Sequence, residues 1–191
     1  MSIPAIEDDG SLLRALDGRT VAILGYGNQG EAHALNLRDS GVTVIVGARA
    51  GGGAEARAVA AGFRTISIPD ASADADLAIV ALPDEVHGEV VRDVIAPHLR
   101  HGAVLGFLHG FSIRFGRVVP PAGAGVVMVA PKGPGTTLRD RFVRGLGIPC
   151  LFAVHQETDG SAERLGLAWA SGIGCGRARI LRSTFADEAE T

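Results

Sequence analysis

A short apolar segment that ends on three spaced glycines constrains the fold of this chain more than any other feature. Residues 21–24 predict a buried strand of a parallel sheet, and residues 31–38 predict a helix. Between them Gly25, Gly27 and Gly30 form the pattern G-x-G-x-x-G. In that pattern the first glycine permits a tight turn, the second lets a pyrophosphate approach the backbone, and the third allows the helix to pack on the strand. This order of strand, glycines and helix predicts a dinucleotide-binding turn.

Apolar runs alternate with helical patterns along the rest of the chain. Such alternation is typical of βαβ units and predicts the α/β class, with a doubly wound parallel sheet of the Rossmann type. Because no internal repeat or low-complexity linker interrupts it, we interpret residues 1–191 as a single dinucleotide-binding domain. The further predicted strands cover residues 42–46, 63–66, 77–82, 103–107, 126–130, 149–154 and 178–181, and the further predicted helices cover residues 54–61, 84–99 and 161–173.

Composition and charge argue against several classes of protein. The net charge of -3 offers no basic surface, so no nucleic-acid partner is expected. No apolar run approaches the roughly 20 residues that cross a bilayer, and residues 1–10 carry no signal-peptide pattern. Cys150 and Cys175 show neither a metal-ligand spacing nor a C-x-x-C pattern, which favours reduced, structural thiols. We therefore expect a cytoplasmic protein with no membrane partner.

The segments that follow the predicted strands are rich in polar residues. In a doubly wound sheet the ligand lies beyond the carboxyl ends of the strands, so these segments are expected to meet at one edge. This edge, here called the carboxyl edge of the sheet, also holds the glycine turn, and we predict a single site there. The candidate residues on it are Arg49, Pro83, Asp84, Glu85, Val86, His87, His109, Lys132 and Gly135.

The residue after the second predicted strand bears on which dinucleotide is bound. NAD-binding turns usually place an aspartate or glutamate there, which accepts hydrogen bonds from the ribose hydroxyls. This chain has Arg49, whose guanidinium pairs with a phosphate instead. NADP is therefore the expected cofactor, while Glu55 keeps NAD possible because its carboxylate could serve an NAD ribose. A solvated surface arginine is the alternative interpretation of Arg49.

Two residues of the carboxyl edge are candidates for catalysis. His109 emerges from a buried strand, and histidine donates protons near neutral pH. Lys132 stands where it could neutralise a carboxylate or phosphate of a substrate. A hydrogen-bonded structural histidine and a solvated lysine are the alternatives. The histidines outside this pattern are expected to be structural or on the surface, and they are His33, His98, His101 and His155.

Several motifs, taken together, form a specific set that covers nearly the whole chain. They are residues 25–30, 32–41, 82–86, 109–111, 129–135, 154–156 and 184–185. This set resembles ketol-acid reductoisomerases. The resemblance implies an enzyme of branched-chain amino-acid biosynthesis that moves an alkyl group in a 2-acetohydroxy acid under magnesium and then reduces the ketone with NADPH. It also implies that His109 is the active-site histidine, with Lys132 beside it, and that the NADPH site is lined by Tyr26, Gly27, Asn28, Gln29, Arg49, Asp84, Glu85, Val86, His87 and Gly135.

The chain departs from the pattern of that family at four positions. The two loop serines that family members use on the 2′-phosphate correspond to Gly52 and Ala54. Recognition of that phosphate would then depend on Arg49 and on backbone N–H groups. The histidine usual after the last glycine is Glu31, and the glutamine usual in the loop after residues 77–82 is His87.

In that family the acidic magnesium ligands belong to a second, helical domain, which would begin where this sequence ends. Magnesium is therefore not expected in this chain alone. The alkyl migration is not expected either, because nothing would stabilise the developing alkoxide charge. Asp187, Glu188 and Glu190 form a terminal acidic run that we expect to be solvated or frayed.

The function expected is that of an NAD(P)H-dependent reductase, which transfers a hydride to a small ketone, 2-keto acid or imine with His109 as the proton donor. The missing substrate walls would come from a second copy, which predicts a homo-oligomer, or from a helical partner subunit. The alternative is a non-catalytic NADP-binding module or subunit that needs a helical partner.

Overall fold

The computed structural model describes residues 4–190 of the chain. The parts of the predictions that concern residues 1–3 and residue 191 lie outside the described residues. The strands are β1 Ala5–Ile6, β2 Thr20–Leu24, β3 Thr43–Gly47, β4 Arg64–Ile66, β5 Leu77–Val80, β6 Val104–Phe107, β7 Gly125–Pro131, β8 Cys150–Gln156 and β9 Ile180–Arg182. The helices are α1 Asn28–Asp39, α2 Gly53–Ala60, α3 Ile68–Asp74, α4 Asp84–Val90, α5 Phe111–Arg114, α6 Gly135–Val143, α7 Ser161–Gly172 and α8 Phe185–Glu190.

The strands of the described residues form one sheet, in the order β1-β9-β8-β7-β6-β5-β2-β3-β4. From β4 across to β7 every neighbouring pair is parallel. The chain winds outward in both directions from the β2–β5 pair, so the predicted doubly wound, Rossmann-type α/β fold is confirmed. Beyond β7 the direction changes, because β8 is antiparallel to β7 and β9 is parallel to β8.

Strand β8 is reversed because the segment before it does not cross the sheet. Pro131 at the end of β7 pairs with Cys150 at the start of β8, so the chain returns to the edge that it left. Helix α6, which lies in this segment, packs against α1. In a parallel connection the helix would instead carry the chain back to the opposite edge. The sequence pattern does not distinguish the two connections, since each places a helix between two apolar runs.

The helices differ from the predictions mainly where they are short. The helix predicted over residues 84–99 begins as α4 and continues as a π-helical turn over Val91–Ile95. Helices α3, α5 and α8 have no predicted counterpart, since 7, 4 and 6 residues are too few to show a helical period. Helix α6, of 9 residues, was not predicted either, because Leu138 and Phe142 are its only buried apolar side chains. None of the helices within residues 4–190 has the length and apolar character needed to span a membrane.

Two apolar clusters cover the two faces of the sheet. On one face α1, α2, α6 and α7 contribute buried side chains. On the other face these come from α3, the π-helical turn, α5 and α8. The winding reverses between β2 and β5, and a crevice opens at the carboxyl ends of these two strands. In doubly wound sheets this crevice is where ligands bind.

Both cysteines are buried and free, in agreement with the structural role expected for them. Hydrogen bonding to Cys150 and burial raise the pKa of the Cys175 thiol. A raised thiol pKa leaves little thiolate, which is the reactive form. The pair therefore contributes packing rather than chemistry.

His33 is one of the histidines predicted to lie outside the site, and it is completely buried on α1. The indole N–H of Trp169 donates to its Nδ1 at 2.9 Å, so the proton of the neutral ring is on Nε2. That Nε2 is buried without a hydrogen-bond partner among the described residues. Burial lowers the pKa of His33 from 6.5 to about 3.

The depressed pKa of His33 predicts acid-dependent stability. Below about pH 6.5 the unfolded chain binds a proton that the native state excludes, so the free energy of unfolding falls as the pH drops toward 3. The slope from this residue approaches about 1.4 kcal/mol per pH unit. Urea unfolding between about pH 7 and 4, followed by the fluorescence of the single tryptophan, should show a steeper loss of stability than in His33→Leu. Parallel slopes in the two proteins would contradict this origin of the acid sensitivity.

Candidate active site

The three glycines of the turn after β2 have three different environments. Gly25 has a φ of +99°, and a Cβ there would lie 2.6 Å from the carbonyl oxygen of Ala81. A Cβ on Gly30 would lie 2.5 Å from the carbonyl oxygen of Gly25. Gly27, in contrast, has no atom within 4 Å of its Cβ position. The outer glycines therefore allow the α1–strand contact, and the middle one leaves open space at the N-terminus of α1, as a bound pyrophosphate requires.

A cleft of about 610 Å³ extends from this turn along the carboxyl edge of the sheet. It lies at the β2–β5 crevice, and residues after β2, β5 and β6 and the last residue of β7 contribute to it. Its lining residues are Gly25, Tyr26, Gly27, Asn28, Gln29, Ala54, Arg57, Ala81, Leu82, Pro83, Asp84, Leu108, His109, Pro131 and Glu188. The single site predicted at this edge thus corresponds to one continuous cleft.

Two amides in the first turn of α1 fix the loop that follows β7. The Asn28 side-chain oxygen accepts from the backbone N–H of Gly135 at 2.7 Å. The Gln29 side-chain N–H donates to the Gly133 carbonyl at 3.0 Å. A Cβ on Gly135 would lie 2.1 Å from the Asn28 carbonyl oxygen, so only glycine fits there. Because Lys132 is next to Gly133, these bonds also set the position of the lysine.

His109 lies in the cleft and has a polar neighbour at each ring nitrogen. Its Nε2 is 2.8 Å from the Oδ1 of Asp84, at the start of α4. Its Nδ1 accepts from the backbone N–H of Phe111 at 3.3 Å. Both His109 and Asp84 keep about a third of their side-chain surface exposed, at 37% and 35%. The ring therefore lies with its Nε2 beside a carboxylate that lines the same cleft.

His87, on α4, is buried behind the cleft and forms hydrogen bonds with the loop after β5 and with α5. Its Nε2–H donates to the Leu82 carbonyl at 2.9 Å, and the Ser112 hydroxyl donates to its Nδ1 at 2.7 Å. Burial lowers the pKa of His87. The ring is therefore neutral, and its Nδ1, 3.6 Å from the Oδ1 of Asp84, has no proton to offer that carboxylate. Asp84 is consequently left to pair with His109.

The terminal acidic run belongs to helix α8, so the prediction of a frayed end is wrong, and Glu188 is not solvated as expected, whereas Asp187 and Glu190 are exposed. Glu188, on α8, accepts from the backbone N–H of Gly110 at 2.7 Å and from the Nζ of Lys132 at 3.2 Å. Its side chain is only 11% exposed. Glu190 forms an ion pair with Arg114 at 2.6 Å. Helix α8 thus brings a carboxylate into the cleft beside both candidate catalytic residues.

The predicted cofactor residues fall into two groups in the structure. Several of them line the cleft, and these are Gly25, Tyr26, Gly27, Asn28, Gln29, Pro83 and Asp84. The others lie around the cleft. Gly30 and Gly135 make tight backbone contacts, and His87 is buried. Val86 and Arg49 are exposed outside the lining, and Glu85 lines an adjacent cavity. Among the catalytic candidates His109 lines the cleft, and Lys132 reaches it through Glu188.

Two charged residues of the cleft were missed by the sequence analysis. Arg57, on α2, donates from Nη2 to the Tyr26 carbonyl at 2.6 Å. It has no sequence signal, since an arginine in the second turn of a surface helix is ordinary. Glu188 had a signal, because the Thr184 hydroxyl accepts from the N–H of Asp187 at 3.0 Å. A threonine three residues before an acidic residue is typical of a helix N-terminus, and it favours a helix over a frayed end.

Within residues 4–190, no group of three or more histidine, cysteine, aspartate or glutamate side chains is arranged to hold a metal ion. The carboxylates of the cleft are engaged in other ways. Asp84 pairs with His109, and Glu188 pairs with Lys132. The arrangement instead combines an open phosphate cradle, a held imidazole and an ammonium group along one cleft.

The doubly wound sheet, the glycine turn and the cleft at the point of strand reversal define a Rossmann-type dinucleotide-binding domain. A family model described as the NADPH-binding domain of acetohydroxy acid isomeroreductase matches residues 15–179. The chain belongs to this family, and the resemblance to ketol-acid reductoisomerases is confirmed. It is accordingly a dinucleotide-binding domain of that family.

Solved structures agree with this assignment. An NADH-preferring ketol-acid reductoisomerase from an uncultured archean is 37% identical, with a TM-score of 0.93 over 98% of this chain and 58% of that one. The chain thus spans less than two thirds of that relative. A semialdehyde dehydrogenase NAD-binding protein from Cupriavidus necator is 23% identical, with a TM-score of 0.75 over 89% of this chain and 64% of that one. Pyrroline carboxylate reductase from Plasmodium falciparum is 13% identical, with a TM-score of 0.62 over 90% of this chain and 60% of that one. The last two show the fold alone.

The contrast between Gly27 and Gly30 predicts different losses of stability from the same substitution. Gly30→Ala should lower the free energy of unfolding by about 1–3 kcal/mol, because its Cβ meets backbone that cannot yield. Gly27→Ala should change it by less than about 0.5 kcal/mol, because its Cβ enters open space. Urea unfolding without ligand measures both. Equal losses of stability in the two variants would show that the turn is packed differently.

Proposed function

We propose that this chain is the cofactor-binding half of an NADPH-dependent reductase that acts on a small ketone, a 2-keto acid or an imine. The observation that carries the proposal is the single cleft that joins the open space at Gly27 to the held imidazole of His109. Membership in the reductoisomerase family supports it as well.

The residues of the cleft fit a dinucleotide. Gly27 leaves room for a pyrophosphate at the N-terminus of α1, where free N–H groups and the helix dipole favour negative charge. The cleft then passes Pro83 and ends among Asp84, His109 and Glu188. The reduced nicotinamide, when bound, supplies the hydride. The chain supplies the position of the ring and a proton for the substrate.

His109 is the proton donor in this proposal, and Asp84 is its positioning residue. The imidazolium form of His109 gives one proton to the oxygen or nitrogen of the substrate as the hydride reaches the adjacent carbon, which leaves a neutral ring beside Asp84 and the Phe111 N–H. Lys132 neutralises a carboxylate of the substrate, while Glu188 keeps its ammonium group at the cleft. A positioned acid of this kind typically contributes about 10²- to 10⁴-fold to a rate.

We propose that alkyl migration requires a helical partner subunit or a second copy of the chain, since the described residues hold no cluster of metal-type ligands. A neighbouring apolar surface supports a partner. Phe111 on α5 and Phe115 directly after it have ring centroids 4.9 Å apart and are 38% and 51% exposed beside His109. Sedimentation velocity over a wide range of concentrations checks self-association, and a clean monomer would leave only the helical partner.

The reductase proposal predicts a specific loss in His109→Ala. NADPH oxidation is measured with a panel of 2-keto acids, small ketones and cyclic imines. The variant should reduce the best substrate at least about 100-fold more slowly, because it lacks the proton donor. Its Kd for NADPH should stay within about twofold, because the imidazole does not contact the phosphates. His101→Ala, an exposed histidine away from the cleft, is the matched control and should behave as the parent protein.

The outcomes separate the two candidate functions. Reduction that disappears only in the His109 variant supports the reductase. Tight binding of NADPH without reduction of any compound in the panel would instead favour a non-catalytic NADP-binding module or subunit that needs a helical partner. Activity that survives in His109→Ala would overturn the role of that histidine.

We propose NADP rather than NAD as the cofactor, with NAD as the alternative. Arg49 lies exposed after β3, where the ribose end of a dinucleotide is expected, and its charge suits a 2′-phosphate. Glu55 opposes this, since its Oε2 accepts from the backbone N–H of Gly51 at 2.6 Å and keeps a carboxylate in the same turn. Residues 50–54 offer no hydroxyl group.

The two charges predict opposite shifts in cofactor preference. Arg49→Ala should weaken NADPH by about tenfold and NADH by less than twofold, since only NADPH has the 2′-phosphate. Glu55→Gln should strengthen NADPH and leave NADH little changed, because it removes a repulsive charge. Calorimetric titration measures both. A parent protein that prefers NADH would make Glu55 the dominant residue, and equal losses for both cofactors in Arg49→Ala would remove the 2′-phosphate assignment.

A further inference from the structure

Arg57 is the one lysine or arginine among the described residues that line the cleft. It stands in the second turn of α2, and its side chain reaches back to the glycine turn, where Nη2 donates to the Tyr26 carbonyl at 2.6 Å. Tyr26 lies between the first two glycines of that turn. The guanidinium is therefore held beside the open space at Gly27, where a pyrophosphate would bind.

The charge of Arg57 is not neutralised within residues 4–190. None of the ion pairs in this part of the chain involves Arg57. Both carboxylates of the cleft, in contrast, already have a partner: Asp84 pairs with His109, and Glu188 pairs with Lys132. The bond to a neutral carbonyl uses one N–H of the guanidinium, and the fork geometry of arginine leaves others for a second acceptor. A phosphate oxygen is the acceptor that such a fork matches best.

We infer that Arg57 is a cofactor-binding residue that contacts the pyrophosphate, a contact common to NADH and NADPH. The Tyr26 carbonyl orients the guanidinium, and the remaining N–H groups reach phosphate oxygens over Gly27. Arg57 thus adds a full positive charge to a cradle otherwise made of backbone N–H groups and the dipole of α1. Arg49, outside the lining of the cleft, is left for the 2′-phosphate. This inference rests on the proposed function, because it requires a dinucleotide in the cleft.

The test compares Arg57→Met with Arg49→Met, each titrated with NADH and with NADPH. Methionine keeps an unbranched apolar stem and removes the charge. Arg57→Met should weaken both cofactors by the same factor, about tenfold, because both have a pyrophosphate. Arg49→Met should weaken NADPH alone. The affinity of Arg57→Met should also depend less on salt concentration than that of the parent protein, since one ion pair is lost.

A purely structural role for Arg57 gives different results. If its bond to Tyr26 only braced the turn, Arg57→Met would lower the melting temperature and leave the salt dependence of binding unchanged. Arg57→Lys keeps the charge and loses the fork, so it should recover part of the affinity. Unchanged binding of both cofactors by Arg57→Met, or a loss for NADPH alone, would overturn the inference and leave the reductase proposal standing. If the parent protein binds neither cofactor, both the inference about Arg57 and the reductase proposal are wrong.

Discussion

The close approach of helix α1 to the ends of β2 and β5 is the contact on which the rest of the site depends. It is possible only because Gly25 and Gly30 have no Cβ, since each would meet a carbonyl oxygen at 2.6 Å or less. Asn28 and Gln29, in the turn of helix placed by this contact, then hold the loop of Lys132. One backbone contact therefore sets both the phosphate cradle and the position of a candidate catalytic residue.

His87, where family members usually have glutamine, has a role in this arrangement that its position in the sequence does not reveal. Its two ring nitrogens join the Leu82 carbonyl to the Ser112 hydroxyl, and so connect the loop after β5 to the helix after β6. Because burial lowers its pKa, the ring is neutral and does not compete with His109 for Asp84. The neutral ring of His87 thus leaves Asp84 to the imidazole of His109.

The sequence predicted the parts of this molecule that depend on local pattern. The glycine turn, the central parallel strands and the meeting of their polar ends at one edge all follow from periodicity and from the geometry of parallel sheets. The direction of β8 could not be predicted in this way, because it depends on the packing of α6 against α1, a contact between distant segments. Glu188 and Arg57 were missed for a similar reason. Their roles come from side chains that reach a cleft built by other elements.

The charges of the cleft and the geometry of the turn favour the same orientation of a dinucleotide. At one end Arg57, which forms no ion pair within residues 4–190, lies beside the open space at Gly27. At the other end Asp84 and Glu188 are already paired with His109 and Lys132. The first end suits the negative phosphates, and the second suits a neutral ring and a small polar substrate. The open space at Gly27 favours the phosphates at the same end, because it lets them approach the N-terminus of α1.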